Sequence, residues 1–170
     1  MSRRLPDHIV PIVSPNHQDT PCRYDVMFGF DVVSNKFKVL KIVYRSDNYR
    51  LVSVVVVYLY SWNGGSWREI EVGVELPSMV CYPLCPILKS GPVVDRILYL
   101  EGMDVIVTFD LCSELFRLIK FPSFMKIRKS NVFDFEGSVS VLVESVPGDG
   151  SLDNKEISLW ALETVSSESF

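Results

Sequence analysis

Cysteine and histidine are the residue types in this sequence that could bind zinc, so their spacing is the first test of its chemistry. Cys81 and Cys85 are separated by three residues, a spacing that zinc tolerates. A structural zinc site needs about four ligands. The other cysteines and histidines are scattered along the chain: His8, His17, Cys22 and Cys112. We therefore expect no metal and no other cofactor, and interpret Cys81 and Cys85 as packed thiols in a proline-stiffened loop.

Nucleophilic catalysis would need a histidine beside a serine or cysteine and an acid. Both histidines lie in residues 1–23, a stretch with four prolines that predicts an irregular lead-in. Asp31 and Asp110 could pair as acids, but each follows an aromatic residue at a predicted turn, which is the role we favour. The sequence has no phosphate-binding or dinucleotide-binding glycine motif. We expect no enzyme activity and no catalytic residues.

The residues from Arg117 to Lys129 include five bases, no acids, and two phenylalanines, Phe121 and Phe124. Bases with aromatic residues can bind single-stranded nucleic acid. The net charge of the whole chain is only -4, with 17 bases and 21 acids, so bulk charge does not support a nucleic-acid partner. We interpret this stretch as a solvated loop or as part of a protein-binding rim.

Composition predicts one folded domain, or part of one. The chain has 170 residues, of which 48% are apolar, enough for a hydrophobic core. The longest apolar run, residues 51–60, is shorter than the roughly 20 residues of a spanning helix. The N-terminus lacks the apolar segment of a signal peptide. We expect reduced thiols in a cytoplasmic or nuclear protein, with no membrane partner.

Short β-strands are the elements that must position any site. Four consecutive valines at residues 54–57, stiff about χ1, favour a strand over a helix. No long stretch has the period of a helix, and many short strands indicate a sandwich, barrel or propeller. In the strand at 37–44, Lys38 and Lys41 are expected to point outward. The predicted strands cover residues 24–31, 37–44, 52–61, 66–72, 93–101, 105–110, 115–120, 138–145 and 157–163.

A pair of aromatic residues seven positions apart recurs three times. The pairs are Phe30 and Phe37, Tyr60 and Trp67, and Phe109 and Phe116. A small polar residue and a turn with serine or glycine follow each first aromatic, and a base follows each second one. Each copy predicts a β-hairpin whose following base faces solvent. The copies lie roughly 30 to 50 residues apart, about the length of a propeller blade.

In order and approximate spacing, these motifs resemble the plant F-box-associated domain, a β-propeller-like region that follows the F-box in many plant F-box proteins. The resemblance covers residues 24–163. Where the family often has Asn-Gly, this chain has Asp95 and Arg96. The matching stretches are 28–31 with 37–40, 57–61 with 66–67, 91–100, 106–110 with 114–116, and 157–162. The resemblance implies an all-β, partial β-propeller-like (kelch-like) array of short antiparallel strands, with about 2.5–3 blades.

The resemblance also implies a domain organisation and a function. We expect a lead-in at residues 1–23, the N-terminal half of an F-box-associated β domain at 24–165, and a tail at 166–170. The F-box and the C-terminal half of the family domain are expected to be missing. The implied function is a non-catalytic interaction module, like the substrate-recognition domain of an SCF-type E3 ubiquitin ligase. Its partner would be a protein substrate, with a Skp1-type adaptor only where an F-box is supplied elsewhere.

Loops on a rigid β scaffold are the expected place for partner recognition. The candidate loops are 45–51, 61–66, 77–91 and 121–131. The candidate partner-binding residues in and near them are Tyr49, Trp62, Asn63, Tyr82, Arg96, Phe124 and Lys126. An alternative is a β domain that binds a small ligand such as a glycan in an aromatic pocket. Its expected lining is Tyr58, Tyr60, Trp62, Trp67 and Tyr99.

Overall fold

The computed structural model describes residues 23–46, 51–62, 66–74, 79–80, 88–102, 105–121, 126–146 and 156–162. Across these ranges the protein is all-β, with twelve antiparallel strands and no helix. No helix that could span a membrane occurs in the same ranges. The chain divides into two compact units, Met1–Cys85 and Pro86–Phe170.

The first unit contains one sheet of five strands, which we call the N-terminal sheet. Its strand order is β1-β2-β3-β4, and β5 also pairs with β3. The strands are β1 (Arg23–Asp31), β2 (Lys36–Ser46), β3 (Leu51–Ser61), β4 (Trp67–Ile70) and β5 (Met79–Val80). β-Branched and aromatic residues dominate β2 and β3, which suits a half-buried pleated surface.

The second unit contains two sheets. The middle sheet has the order β6-β7-β8-β9, and the C-terminal sheet has the order β10-β11-β12. The middle sheet consists of β6 (Lys89–Val94), β7 (Ile97–Glu101), β8 (Val105–Asp110) and β9 (Phe116–Lys120). The C-terminal sheet consists of β10 (Lys126–Phe135), β11 (Ser138–Val146) and β12 (Glu156–Ala161). The described residues form sheets of five, four and three strands. The predicted number of blades stays a prediction.

The middle and C-terminal sheets share a core in the second unit. Its buried residues are Val94, Tyr99, Ile106, Val132, Val139, Val141 and Val143. The two sheets come close at Gly91 of β6, where a Cβ atom would lie 3.5 Å from the Cβ atom of Val132 in β10. A buried carboxylate also joins the two sheets, because Glu101 accepts hydrogen bonds from Lys89 Nζ at 3.0 Å and Ser130 Oγ at 3.1 Å. These contacts leave the opposite face of the C-terminal sheet uncovered by the middle sheet.

The predicted aromatic repeat is confirmed as three hairpins. The aromatic residues of each copy are directly opposite each other in β1–β2, β3–β4 and β8–β9. The ring centroids are 4.9 Å apart for Phe30 and Phe37, 5.5 Å for Tyr60 and Trp67, and 4.7 Å for Phe109 and Phe116. Cross-strand aromatic pairs of this kind stabilise antiparallel sheets.

Several sequence predictions need correction. The predicted strand at 93–101 is two strands, because Asp95 and Arg96 form a turn with φ values of 47° and 66°. The predicted loop at 121–131 is wrong from Lys126 onward, where β10 begins. Basic side chains in the first half of β10 hid the apolar alternation that identifies a strand.

The other predicted loops also contain strand residues. The loop at 77–91 includes β5 and the start of β6, and the loop at 45–51 is shortened by the ends of β2 and β3. The outward placement of Lys38 and Lys41 is wrong, because both are buried. Lys38 Nζ lies 3.0 Å from a buried Asp31 carboxylate oxygen, and Lys41 Nζ lies 4.5 Å from the centre of the Tyr24 ring.

Candidate interaction surface

One end of the N-terminal sheet carries two adjacent hairpin turns, and we call it the tip end. β1 ends at Asp31 where β2 begins at Lys36, and β3 ends at Ser61 shortly before β4 begins at Trp67. The register pairs Lys38 with Ser61, so both turns lie at the same edge. The sequence folds this way because polar turn residues interrupt apolar strands at both places.

Asp31 holds the first turn rigidly. Its Oδ1 accepts hydrogen bonds from the backbone N–H groups of Val33 (3.0 Å) and Ser34 (3.3 Å). Its Oδ2 accepts a bond from Ser34 Oγ at 2.6 Å and lies 3.0 Å from Lys38 Nζ. Burial by itself raises the pKa of Asp31, but the bonds from Ser34, Lys38 and Val33 outweigh it and hold the pKa well below its usual 3.8. The turn is therefore ordered around an ionised carboxylate.

The tip end presents apolar side chains on this rigid turn. Val32 and Val33 are each 64% exposed. In the neighbouring turn, the backbone N–H of Trp62 donates to the carbonyl oxygen of Phe37 at 2.8 Å. The Trp62 ring lies edge-on to Tyr60, with the centroids 6.4 Å apart. The two exposed valines of the first turn and Trp62 of the neighbouring turn give the tip end apolar side chains at both turns.

The sheet next to the tip end has an exposed aromatic face. The even-numbered residues of β1 share this face because side chains alternate along a strand, and all four are exposed: Tyr24, Val26, Phe28 and Phe30. Phe37 of β2 extends the face, because it lies opposite Phe30. An open depression of about 490 Å³ is lined by Val26, Phe28, Phe37, Val39 and Trp62. This lining is apolar throughout, so the depression suits hydrocarbon rather than polar groups.

The structure places three of the seven residues predicted to bind a partner. Trp62 lies at the tip end of the first unit. Arg96 lies in the β6–β7 turn of the second unit, with Nε 3.5 Å from Asp110 Oδ1, and Lys126 is the first residue of β10. Their role in binding stays a prediction. The other four lie outside the described residues: Tyr49, Asn63, Tyr82 and Phe124.

The aromatic lining predicted for a glycan pocket is only partly assembled. Tyr60, Trp62 and Trp67 lie together in the first unit, but Tyr58 and Tyr60 are buried. Tyr99 belongs to the second unit, where burial and then the charge of Asp95 raise its pKa. The depression in the first unit includes only Trp62 from the predicted set. It has no polar side chain in its lining, and glycan recognition needs such groups.

Sequence reasoning missed the exposed valines and the aromatic face. The signal for the face was present, because Tyr24, Val26, Phe28 and Phe30 alternate with period 2. Alternation of this kind indicates a face but does not say whether that face is covered. Val32 and Val33 were read as part of a turn.

The Asp31 and Asp110 turn roles are confirmed. Asp110 Oδ1 accepts backbone hydrogen bonds from Cys112 (2.8 Å) and Ser113 (3.3 Å), as Asp31 does from Val33 and Ser34. In the part of the chain that the structure describes, no group of three metal-binding side chains lies together. Cys81 and Cys85 are outside that part.

These features define an all-β protein of repeated hairpins with exposed apolar side chains on its sheets. The family model described as the F-box associated beta propeller domain matches residues 6–169. The chain therefore belongs to this family.

Two curated relatives from Arabidopsis thaliana are F-box proteins by name. F-box protein At1g52495 is 23% identical over 154 residues, which cover 83% of this chain and 33% of the relative. Putative F-box protein At1g46984 is 30% identical over 117 residues, which cover 68% of this chain and 27% of the relative. The chain thus spans about a third or less of the length of the curated relatives that it matches.

Proposed function

We propose that this chain is a non-catalytic module that recognises a protein substrate of an SCF-type ubiquitin ligase. Membership of the F-box associated family and the names of both relatives support this proposal. The observation that carries it is the tip end, where Val32 and Val33 are exposed on a turn that Asp31 holds in place.

A rigid apolar turn suits protein recognition. Binding costs less when the contact residues are already ordered, because fewer side chains and loops lose freedom. Three hydrogen bonds and one ion pair to Asp31 order this turn. The partner chemistry that fits is an apolar side-chain cluster on a protein, which would cover Val32, Val33 and the exposed part of Trp62. The proposed place of action is the cytoplasm or nucleus, where Cys112 would stay reduced.

A quantitative pull-down from Arabidopsis extract tests the proposal. The tagged chain is compared with the double variant Val32→Asp and Val33→Asp, and captured proteins are measured by mass spectrometry. The captured amount of a specific partner should fall at least about tenfold with the double variant, because a charge would be buried in an apolar contact. The matched control is Leu115→Asp, an exposed apolar residue in the turn of the β8–β9 repeat of the other unit.

The two variants separate recognition from non-specific adhesion. Equal loss of capture in the control and the double variant would contradict recognition by the tip end. A version with an F-box appended should recover the same partner together with a Skp1-type adaptor. A saturable change of tryptophan fluorescence with a glycan, in place of protein capture, would favour the small-ligand alternative.

A further inference from the structure

Besides the aromatic face of the N-terminal sheet, a second sheet face is apolar and exposed. It lies on the C-terminal sheet, opposite the valines that pack on the middle sheet. Leu142 of β11 lies opposite Leu159 of β12, and Glu144 opposite Ile157, so these side chains share one face. Ile157 is 72% exposed and Leu159 is 63% exposed. Phe135 at the end of β10 extends what we call the outer face.

The aromatic repeat offers a comparison for the aromatic face, because this chain buries the equivalent aromatic pair in another hairpin. In the β8–β9 hairpin, Phe109 and Phe116 are 0% and 5% exposed. At the same positions of the β1–β2 hairpin, Phe30 and Phe37 are 36% and 52% exposed. Both pairs have nearly the same ring separation. The hairpins therefore match locally, and only the cover over the aromatic pair differs.

We propose that a second copy of this chain supplies the cover: the aromatic face of one copy packs on the outer face of the C-terminal sheet of another. Sheets in this protein already pack face to face, as the middle and C-terminal sheets do. The contact would follow the same principle, with apolar side chains of two sheets interdigitating. This contact and the proposed substrate contact overlap at Trp62, which lines the depression, whereas Val32 and Val33 are not among its lining residues.

Complementary shape and charge favour unlike faces over like ones. The open depression beside Phe28 can receive branched side chains, and the outer face presents Leu159 and Ile157. The first unit has nine bases and eight acids, a net charge of +1, whereas residues 134–170 have one base and eight acids, a net charge of -7. Glu144 lies on the outer face, in register with Ile157, whereas Lys41 on the aromatic face is buried against the Tyr24 ring. Two outer faces packed together would bring like negative charges together, which costs free energy.

The exposed apolar area of the two faces is close to the smallest area that a specific contact needs. The exposed large apolar residues of the two faces are between 36% and 73% exposed. With about 150–250 Å² for a fully exposed large side chain, each face offers about 400–500 Å². One contact between two copies would thus bury on the order of 1,000 Å², near the lower limit of specific interfaces. Because the two faces are different surfaces, the contact is heterologous and can repeat from one copy to the next.

Complementation between two variants tests this head-to-tail contact. Phe28→Lys blocks the aromatic face and Leu159→Lys blocks the outer face, and both residues are exposed, so the fold should tolerate them. Val26→Lys and Ile157→Lys provide a second pair if circular dichroism shows that either first variant is unfolded. Molar mass is measured by light scattering after size exclusion, over micromolar concentrations of the full chain.

The wild-type chain should associate with rising concentration, and each variant alone should be monomeric, with affinity reduced at least about tenfold. An equimolar mixture of the two variants should form a complex of two chains, because each retains the face that the other lacks. The matched control Leu115→Lys should associate like the wild type. A monomeric wild type, association that survives both variants, or variants that do not combine when mixed would each overturn the proposal.

Discussion

Asp31 shows how one buried carboxylate can order the turn between β1 and β2. A buried carboxylate is costly unless it is hydrogen-bonded and paired. Asp31 is 1% exposed and has partners for both oxygens, with Lys38 as its counter-ion. Its repeat equivalent Asp110 makes the same two backbone bonds but is more exposed and lies 3.5 Å from Arg96 Nε. The same turn is therefore held by a stronger network in the first unit.

Replacing Asp31 by Asn should lower the free energy of unfolding by about 3 kcal/mol near neutral pH, because the amide keeps the turn bonds but removes the charge beside Lys38. The folded-state pKa of Asp31 is lowered, so the ionised carboxylate stabilises the fold fully above its usual pKa of 3.8. That stabilisation is lost as the pH falls below this value, toward the lowered folded-state pKa.

Thermal unfolding of the wild type and Asp31→Asn between neutral and strongly acidic pH measures this effect. The difference between the two proteins should shrink as the solution is acidified below the usual aspartate pKa. Asp110→Asn is the matched control and should cost less, because its ion pair with Arg96 is partly solvated. A pH-independent difference for Asp31 would contradict the charge-based account.

Arg96 marks a second residue-scale feature, a non-glycine residue with φ of 66°. The left-handed conformation costs an L-residue roughly 1 kcal/mol that glycine does not pay. Arg96→Gly should therefore stabilise the protein by about 0.5–1 kcal/mol in urea unfolding, since the ion pair with Asp110 contributes little at a half-exposed site. Arg96→Ala keeps the left-handed backbone strain at residue 96 and removes the ion pair, so it should not stabilise the protein. If this variant were also more stable than the wild type, relief of the positive φ would not explain the effect of Arg96→Gly.

At the scale of elements, the three hairpins share their sequence pattern, register and ring separations but differ in burial. The sequence pattern acts through contacts between residues of the same hairpin. This explains why all three hairpins form. Burial depends on what else packs against the hairpin. The β8–β9 pair is buried, whereas the β1–β2 pair lies on the exposed aromatic face.

Alanine substitutions at matched positions of these hairpins measure the difference. Phe109→Ala should lower the free energy of unfolding by about 3–5 kcal/mol, because a fully buried ring leaves a cavity. Phe30→Ala should cost about 1 kcal/mol, the contribution of a cross-strand pair. Urea unfolding at low protein concentration makes the comparison. Equal losses would show that Phe30 is covered in solution even in the monomer.

At the scale of the whole molecule, the uneven charge and the two apolar faces dominate its expected behaviour. Monomeric soluble proteins rarely expose apolar patches larger than a few hundred Å². This chain exposes one on the N-terminal sheet and one on the C-terminal sheet. The folded chain should therefore bind apolar probes at both of these faces.

The fluorescent dye ANS binds exposed apolar surface and tests this expectation. The folded wild-type chain should bind ANS at low protein concentration, and Phe28→Lys combined with Leu159→Lys should reduce the bound dye by roughly half or more, since a charge disrupts each patch. Circular dichroism confirms that both proteins are folded. Dye binding that is unchanged in the double variant would mean that these faces do not form the apolar patches.

Sequence patterns predicted the all-β class, eight of the twelve described strands to within about two residues, the three aromatic hairpins and the turn roles of Asp31 and Asp110. Alternation, χ1 stiffness and turn chemistry are local, so they act before any tertiary contact forms. The family resemblance rested on the same local motifs. The position of Trp62 at a turn was also visible in the sequence, and its role in binding stays a prediction.

Which surfaces are covered depends on tertiary packing and was not predictable from the sequence. The sequence predicted outward placement for Lys38 and Lys41, and both are buried. The sequence did not predict β10, because the first half of this strand is basic. Yet β10 places Val132 in the core of the second unit. Burial arises between segments far apart in the chain, as where Val132 and Gly91 approach each other, and no local pattern encodes it. The aromatic and outer faces are exposed for the same reason, because their cover must come from elsewhere than their own strands.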